Sequence, residues 1–208
     1  MNNWTENWEN DLAIQLLKKV GIESQDRILD FGCGKGTYSI PAARITNPKG
    51  QVFALDQNNS SLNKVQNKAE QASLNNLTIV KTTGSFYTEF DNDFFDVILL
   101  YDVLHFFDKK ERASLFKELY RILKIQGLLS IFPKHTADNF PLIELSKTSV
   151  NELKQEIERA GFIEEKQVSS QIMHNSNLEK GTIYNFSKSR FGEQDIIASV
   201  RCDCNVNV

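Results

Sequence analysis

Two carboxylates and three glycines define the chemistry available to this chain. Asp30 lies in the apolar run Ile28-Leu29-Asp30-Phe31, Gly32, Gly34 and Gly36 follow at alternate positions, and Asp56 closes a second apolar run, Gly50-Gln-Val-Phe-Ala-Leu-Asp56. Glycines this closely spaced permit positive φ and let a ligand approach the backbone without meeting a Cβ. A helix beginning just after them would turn its amide end toward that ligand. A dinucleotide-binding turn wants glycine at its first, third and sixth positions. Here those positions hold Gly32, Gly34 and Thr37, and the third glycine is Gly36. Asp30, two residues ahead of the first glycine, would repel a pyrophosphate. It would attract a ligand that carries an ammonium and a sulfonium and no phosphate.

The run Asp30-Phe-Gly-Cys-Gly-Lys-Gly36, with Tyr38-Ser-Ile-Pro-Ala-Ala-Arg44 and Gly50 to Asp56 after it, resembles the first two motifs of class I S-adenosylmethionine-dependent methyltransferases. Within that class it is most similar to the ubiquinone/menaquinone-biosynthesis-like subgroup (methyltransferase domain type 11/25), and the likeness runs from about Leu12 to about Phe186. The resemblance implies S-adenosylmethionine as methyl donor, S-adenosylhomocysteine as product, and no metal. Asp30 would take the methionine ammonium directly or through water, while Gly32, Gly34 and Gly36 leave room for the methionine and ribose. Asp56 would accept both ribose hydroxyls, with a turn-capping role as the plain alternative, and Gln57 would cover the adenine.

Many relatives carry an aspartate after the third strand that accepts from the adenine amine. Here Gly84 falls at that place, so Ser85 or Thr83 is left to bond the base and Phe86 to pack on it, unless each is an ordinary loop residue. Phe95-Asp-Val-Ile-Leu-Leu-Tyr-Asp-Val-Leu-His-Phe-Phe107 resembles the fourth-strand region, which makes Tyr101 the expected wall between cofactor and acceptor. The Asp-Pro-Pro-Tyr type of sequence is missing, which argues against transfer to adenine N6 or glutamine side chains.

Methyl transfer is an in-line displacement at a sulfonium. A closed, water-poor site accelerates it by positioning, and a general base is needed only where the acceptor must lose a proton early. Tyr101, His105 and His135 are the expected catalytic residues, with Asp102 a further candidate base. For both histidines a packed structural role is the alternative, since an imidazole suits either. Cys33, inside the glycine turn, reads as a spacer and not a nucleophile.

Three functions are open at this stage. The first is transfer of a methyl group to a small organic acceptor. The second is a non-catalytic protein that binds S-adenosylmethionine or S-adenosylhomocysteine. The third, a nicotinamide-dependent reductase, is opposed by the glycine spacing and Asp30.

With 208 residues, 40% hydrophobic and 25% charged, the chain suits one globular domain. A net charge of -3 and a pI near 5.7 disfavour nucleic acid as a partner. No apolar run reaches the roughly 20 residues that span a bilayer, and the amino terminus lacks the pattern of a signal peptide, so a cytoplasmic protein is expected. Oligomeric state is left open.

The elements that must carry these residues alternate. Helical patterns cover Trp8 to Val20, Thr37 to Ile45, Ser60 to Ala72, Lys109 to Leu123 and Ser149 to Ala160. Strand patterns cover Arg27 to Phe31, Gln51 to Asp56, Leu77 to Lys81, Phe95 to Leu100, Leu128 to Phe132, Phe162 to Val168 and Thr182 to Phe186. Alternation of this kind predicts an α/β fold, a Rossmann-like doubly wound sheet with ligands at the carboxyl ends of its strands. The last two strands have no helix between them, which suggests an antiparallel edge hairpin, and the resemblance supplies the count of seven. Pro41 is harmless only in a first helical turn, so that helix should start near Tyr38 to Ile40. A single domain is expected over residues 1 to 188, with a tail from Ser189 to Val208 whose Cys202 and Cys204 lack the further ligands of a metal site. Specificity is expected from Met1 to Lys19, where Trp4 and Trp8 would form a lid, and from His135 to Ser149.

Overall fold

The computed structural model describes residues 7–84 and 86–189. Ser85, Trp4 and all of the expected tail except Ser189 lie outside the described residues. Seven strands form one sheet: β1 (Arg27–Phe31), β2 (Gln51–Asp56), β3 (Leu77–Lys81), β4 (Phe95–Tyr101), β5 (Leu123–Phe132), β6 (Phe162–His174) and β7 (Asn177–Lys188). Their order is β3-β2-β1-β4-β5-β7-β6. The first five run parallel, and β7 joins antiparallel to both β5 and β6.

The helices are α1 (Ala13–Val20), α2 (Ser39–Thr46), α3 (Asn59–Gln71), α4 (Lys109–Ile122) and α5 (Val150–Arg159), and a π-helical turn, Trp8–Leu12, leads into α1. Strand alternation splits the core between the two faces of the sheet. Ile28, Val97 and Leu99 face the layer of α1, α2 and α3, with Leu16, Leu17, Ile40 and Val65. Leu29, Ile98 and Leu100 face α4 and α5, with Leu115, Leu119, Leu153 and Ile157. Capping boxes begin α4, through Asp108 and Glu111, and α5, through Ser149 and Glu152. Pro41 falls in the first turn of α2, as its chemistry requires.

One difference from the sequence reading bears on the site. The edge hairpin is far longer than its hydrophobic signal, because pairing continues through Ser169↔Thr182, Ser170↔Gly181 and Gln171↔Lys180 to His174↔Asn177. β5 pairs β7 only from Leu128↔Ser187 to Ile131↔Tyr184, so the outer half of the hairpin runs past the carboxyl end of β5. Asn175 and Ser176, with φ of 48° and 67°, make its two-residue turn.

Candidate active site

The loops at the carboxyl ends of β1, β2, β4 and β5, together with the hairpin tip, enclose a cleft of about 920 Å³. Asp30, Gly32, Gly34, Asp56 and Gln57 line it, as do Tyr101, Asp102, His105, His135 and His174. Gly32, Gly34 and Gly36 all take positive φ (74°, 52° and 76°), as the turn required. A Cβ on Gly32 would lie 2.6 Å from Val103 Cγ2, whereas one on Gly34 would meet nothing within 4 Å. Gly32 therefore serves close packing and Gly34 leaves open space beside the cleft.

Asp30 is buried and accepts a hydrogen bond from Ser39 Oγ at 2.5 Å. Burial pushes its carboxyl up to about 6, the Ser39 bond opposes this, and the charge of Asp56 adds to it. Among the described residues no cationic side chain forms an ion pair with it. A buried carboxylate without a cation, bordering a cleft, fits the ammonium of an amino-acid ligand. Ser39 was absent from the sequence reading; its only signal was its place in the first helical turn after the glycines.

Asp56 fills the capping role weighed for it. Its Oδ2 accepts from the Gly34 amide at 2.8 Å and its Oδ1 from the Asn58 amide at 2.8 Å, which holds the glycine turn and the start of α3 together. Each oxygen keeps a lone pair for a further donor. Beside it Gln57 and Gly84 line the rim, and of Thr82 and Thr83 it is Thr82 that borders the cleft. Phe86 also lines it, packed edge-on against Phe107 at 5.3 Å. Cys33 is buried, and its thiol is raised far above the ordinary range by burial first and then by Asp30 and Asp56. That state suits a spacer.

Tyr101 presents its ring and its hydroxyl to different surroundings. Its ring lines the cleft, but its hydroxyl is committed to Ser130 Oγ at 2.8 Å, and Ser130 in turn donates to Asn185 Oδ1 at 3.0 Å. Burial raises the phenol above its usual range. A hydroxyl so held is poorly placed to carry a proton to a ligand. Tyr38 stands against it at 4.7 Å between centroids, and Trp8 against Tyr38 at 5.7 Å. Trp8 is 1% exposed and donates to Thr37 O at 3.1 Å, so it is a fixed part of this aromatic wall.

His105 and His135 are brought together, with ring centroids 4.7 Å apart, and both approach Asp102. Burial, then the neighbouring His135 and His174, lower His105 to about 4, which makes it a neutral, weak base near pH 7. Burial raises Asp102 above the ordinary carboxylate value, against the pull of His174, His135 and Lys134. The sequence reading missed His174, Lys134 and Glu179, which complete this cluster. His174 ends a strand whose outer residues are polar, and the hairpin's length alone brings it here.

The strand order, the glycine turn after β1 and the acidic end of β2 define the class I methyltransferase architecture. Residues 28–127 match the family described as a methyltransferase domain, and the chain is similar to class I S-adenosylmethionine-dependent methyltransferases of the UbiE-like type. It is 26% identical over 137 residues to a demethylmenaquinone methyltransferase of Lactobacillus johnsonii, covering 66% of this chain and 55% of that one. It is 30% identical over 112 residues to a ubiquinone/menaquinone biosynthesis C-methyltransferase UbiE of Vibrio vulnificus, covering 53% and 42%. The chain thus spans about half the length of these curated relatives. A solved S-adenosylmethionine-dependent methyltransferase from Aquifex aeolicus shares the fold, with a TM-score of 0.71 at 22% identity over 88% of this chain and 93% of that one. No helix among the described residues is long and apolar enough to cross a membrane.

Proposed function

We propose that this protein transfers a methyl group from S-adenosylmethionine to a small organic acceptor seated beside Asp102 in the cleft. The observation that carries the reading is the single cleft lined by two unlike sets of residues, one acidic and glycine-rich around Asp30 and Asp56, the other Tyr101 and the histidines. Its volume of about 920 Å³ lies near the top of the range of small-molecule sites, enough for a donor and an acceptor side by side.

S-adenosylmethionine, when bound, supplies an electrophilic methyl group on a sulfonium. Asp30 holds the ammonium of the ligand, and Asp56 accepts the ribose hydroxyls. Gln57 and Phe86 border the base. The Trp8, Tyr38 and Tyr101 rings exclude water and set the approach of the acceptor. Phe106, 61% exposed, and the exposed Leu142 and Ile143 add an apolar mouth to the cleft. That mouth, and the quinone-pathway names of the two curated relatives, favour an acceptor with an apolar or aromatic body. Leu142 and Ile143 belong to the segment after β5 that was expected to carry specificity.

Calorimetry with S-adenosylmethionine and S-adenosylhomocysteine, followed by turnover against phenols, amines, thiols and quinol precursors, tests the reading. Binding of both with turnover of at least one acceptor class is expected. Failure of both to bind overturns it, and tight binding with no product across the panel overturns the transfer step.

A further inference from the structure

The three histidines of the chain come from three separate segments to one carboxylate. Asp102 Oδ2 lies 3.1 Å from His174 Nε2, and its Oδ1 lies 3.6 Å from His135 Nε2 and 3.5 Å from His105 Nδ1. The far side of two rings fixes where their hydrogens are. His135 Nδ1 is 3.0 Å from the Phe140 carbonyl oxygen, and His174 Nδ1 is 3.2 Å from Glu179 Oε1. The Phe140 carbonyl only accepts, so His135 Nδ1 carries a hydrogen, and Asn175 Nδ2 donates to His174 Nε2 at 3.0 Å; with one hydrogen on each ring, both Nε2 atoms turn a lone pair toward Asp102.

Three acceptors therefore converge. The donor that reaches them is Asn175 Nδ2, 3.0 Å from His174 Nε2, while Asp102 Oδ1 and His105 Nδ1 are buried without a hydrogen-bond partner. A set of acceptors facing one another is completed by a cation. The charge agrees: Asp102 and Glu179 are negative, and Lys134 Nζ, 2.8 Å from Glu179 Oε1, is positive, which leaves one net negative charge while the imidazoles are neutral.

The spacing also fits an ion. Bonds of about 2.0–2.2 Å at tetrahedral angles place ligand atoms about 3.3–3.6 Å apart, and the Asp102 separations, 3.1 Å from Oδ2 to His174 and 3.6 Å from Oδ1 to His135, lie close to that edge. One ligand atom from each of Asp102, His135 and His174 lies within 4.8 Å of the other two, so small side-chain rotations close the set. The outer partner of His135, a backbone carbonyl, is of the kind that orients a metal-bound imidazole, and the Glu179 carboxylate lies 3.2 Å from His174 Nδ1.

We propose that Asp102, His135 and His174 bind a divalent first-row transition ion, with zinc the best match to two imidazoles and one carboxylate, and with a further position open toward the cleft. Glu179 and the Phe140 carbonyl orient the two rings, and His105 stands beside the ion's carboxylate ligand. Where the proposed methyl transfer holds, the ion sits beside the acceptor. There it would bind an acceptor oxygen and lower the pKa of a hydroxyl, whose proton passes to solvent water, so that no strong free base is required. Metal binding itself does not depend on that reading.

The test uses the full chain, stripped with a chelator. Titration with Co²⁺ followed by visible absorption, and competition for Zn²⁺ against a chromophoric chelator, should give one ion per chain. His135→Gln and His174→Gln should each weaken Zn²⁺ binding by about 100-fold or more, and Glu179→Gln by about tenfold. The Cys202→Ser/Cys204→Ser double variant should bind as the parent does. Circular dichroism of the stripped variants checks folding, and if one histidine variant fails to fold, the other and Glu179→Gln carry the test. No binding by the parent protein overturns the proposal, as does binding that survives in the histidine variants and is lost in the double cysteine variant. S-adenosylmethionine binding measured on the stripped protein separates this outcome from failure of the methyl-transfer reading.

Discussion

Asp56 Oδ2 accepts the Gly34 amide at 2.8 Å, so the carboxylate ending β2 and the middle glycine of the turn after β1 form one hydrogen-bonded unit. The same carboxylate caps Asn58 through its other oxygen. It therefore shapes the turn as well as facing the ligand. Asp56→Ala removes both supports together with the ribose contact. Charge-assisted bonds contribute about 1.5–3 kcal/mol each, so a loss of S-adenosylmethionine affinity of about 100-fold or more is expected by calorimetry. Asp56→Asn, which keeps one acceptor oxygen, should fall between. Unchanged affinity in the alanine variant would remove the ribose assignment.

Gly32 and Gly34 share a positive φ and differ in what surrounds them. A Cβ on Gly32 meets Val103 Cγ2 at 2.6 Å, and one on Gly34 meets open space. Gly32→Ala should destabilise the fold by about 2–4 kcal/mol in urea denaturation, from left-handed strain plus overpacking. Gly34→Ala should cost only about 1 kcal/mol, the strain alone, yet reduce cofactor affinity by placing a methyl where the ligand must pass. Equal stability losses in the two variants would contradict this division.

How legible the molecule was in its sequence depends on which forces hold each part. The starts and ends of β1, β2 and β3 were readable because apolar side chains on both faces, such as Ile28 and Leu29, declare a buried strand. Asp30 and Asp56 were readable for the related reason that a carboxylate at the end of such a strand needs a ligand or a cap. The outer hairpin was not, since Ser169, Ser170 and Gln171 are held by backbone pairing that leaves no hydrophobic pattern. His174 was lost with it, and so was the convergence of three histidines on Asp102. The partners of the Tyr101 hydroxyl were not legible because a tyrosine's sequence position does not say where its oxygen goes, and Ser130 and Asn185 decide that from distant strands.

Arg112 is a buried cation whose partners lie on two other elements. Its Nε and Nη2 donate to the two carboxylate oxygens of Glu156 at 2.7 and 2.9 Å, and Nη1 donates to the Phe107 carbonyl at 2.8 Å. The pair thereby ties α5 to the segment that follows His105. Glu156→Ala strands the guanidinium, and breaking such a buried pair costs about 3–5 kcal/mol. A stability loss of about 3 kcal/mol is expected in denaturant titration. A loss below about 1 kcal/mol would mean that water replaces the carboxylate.

Asp30 gives the clearest pH dependence, and its sign follows from the direction of the shift. Burial raises its carboxyl from 3.8 to about 6 in the folded protein. The folded state therefore holds a proton that the unfolded chain releases. Stability from this group is fully present below about pH 4 and is lost as pH rises through about 6, a cost on the order of 3 kcal/mol above that. Asp30→Asn keeps an oxygen for Ser39 and removes the cost, so at pH 7.5 the variant should be at least as stable as the parent by urea denaturation. Ligand binding runs the other way, because only the ionised carboxyl attracts an ammonium. Affinity for S-adenosylhomocysteine, which carries the ammonium without the sulfonium, should fall about tenfold per pH unit below about 6. In Asp30→Asn the affinity should be low and nearly flat across the same range. The asparagine variant also separates this group from the nearby histidines, which it leaves in place. A variant that matches the parent in affinity and pH profile would remove Asp30 from the ammonium site.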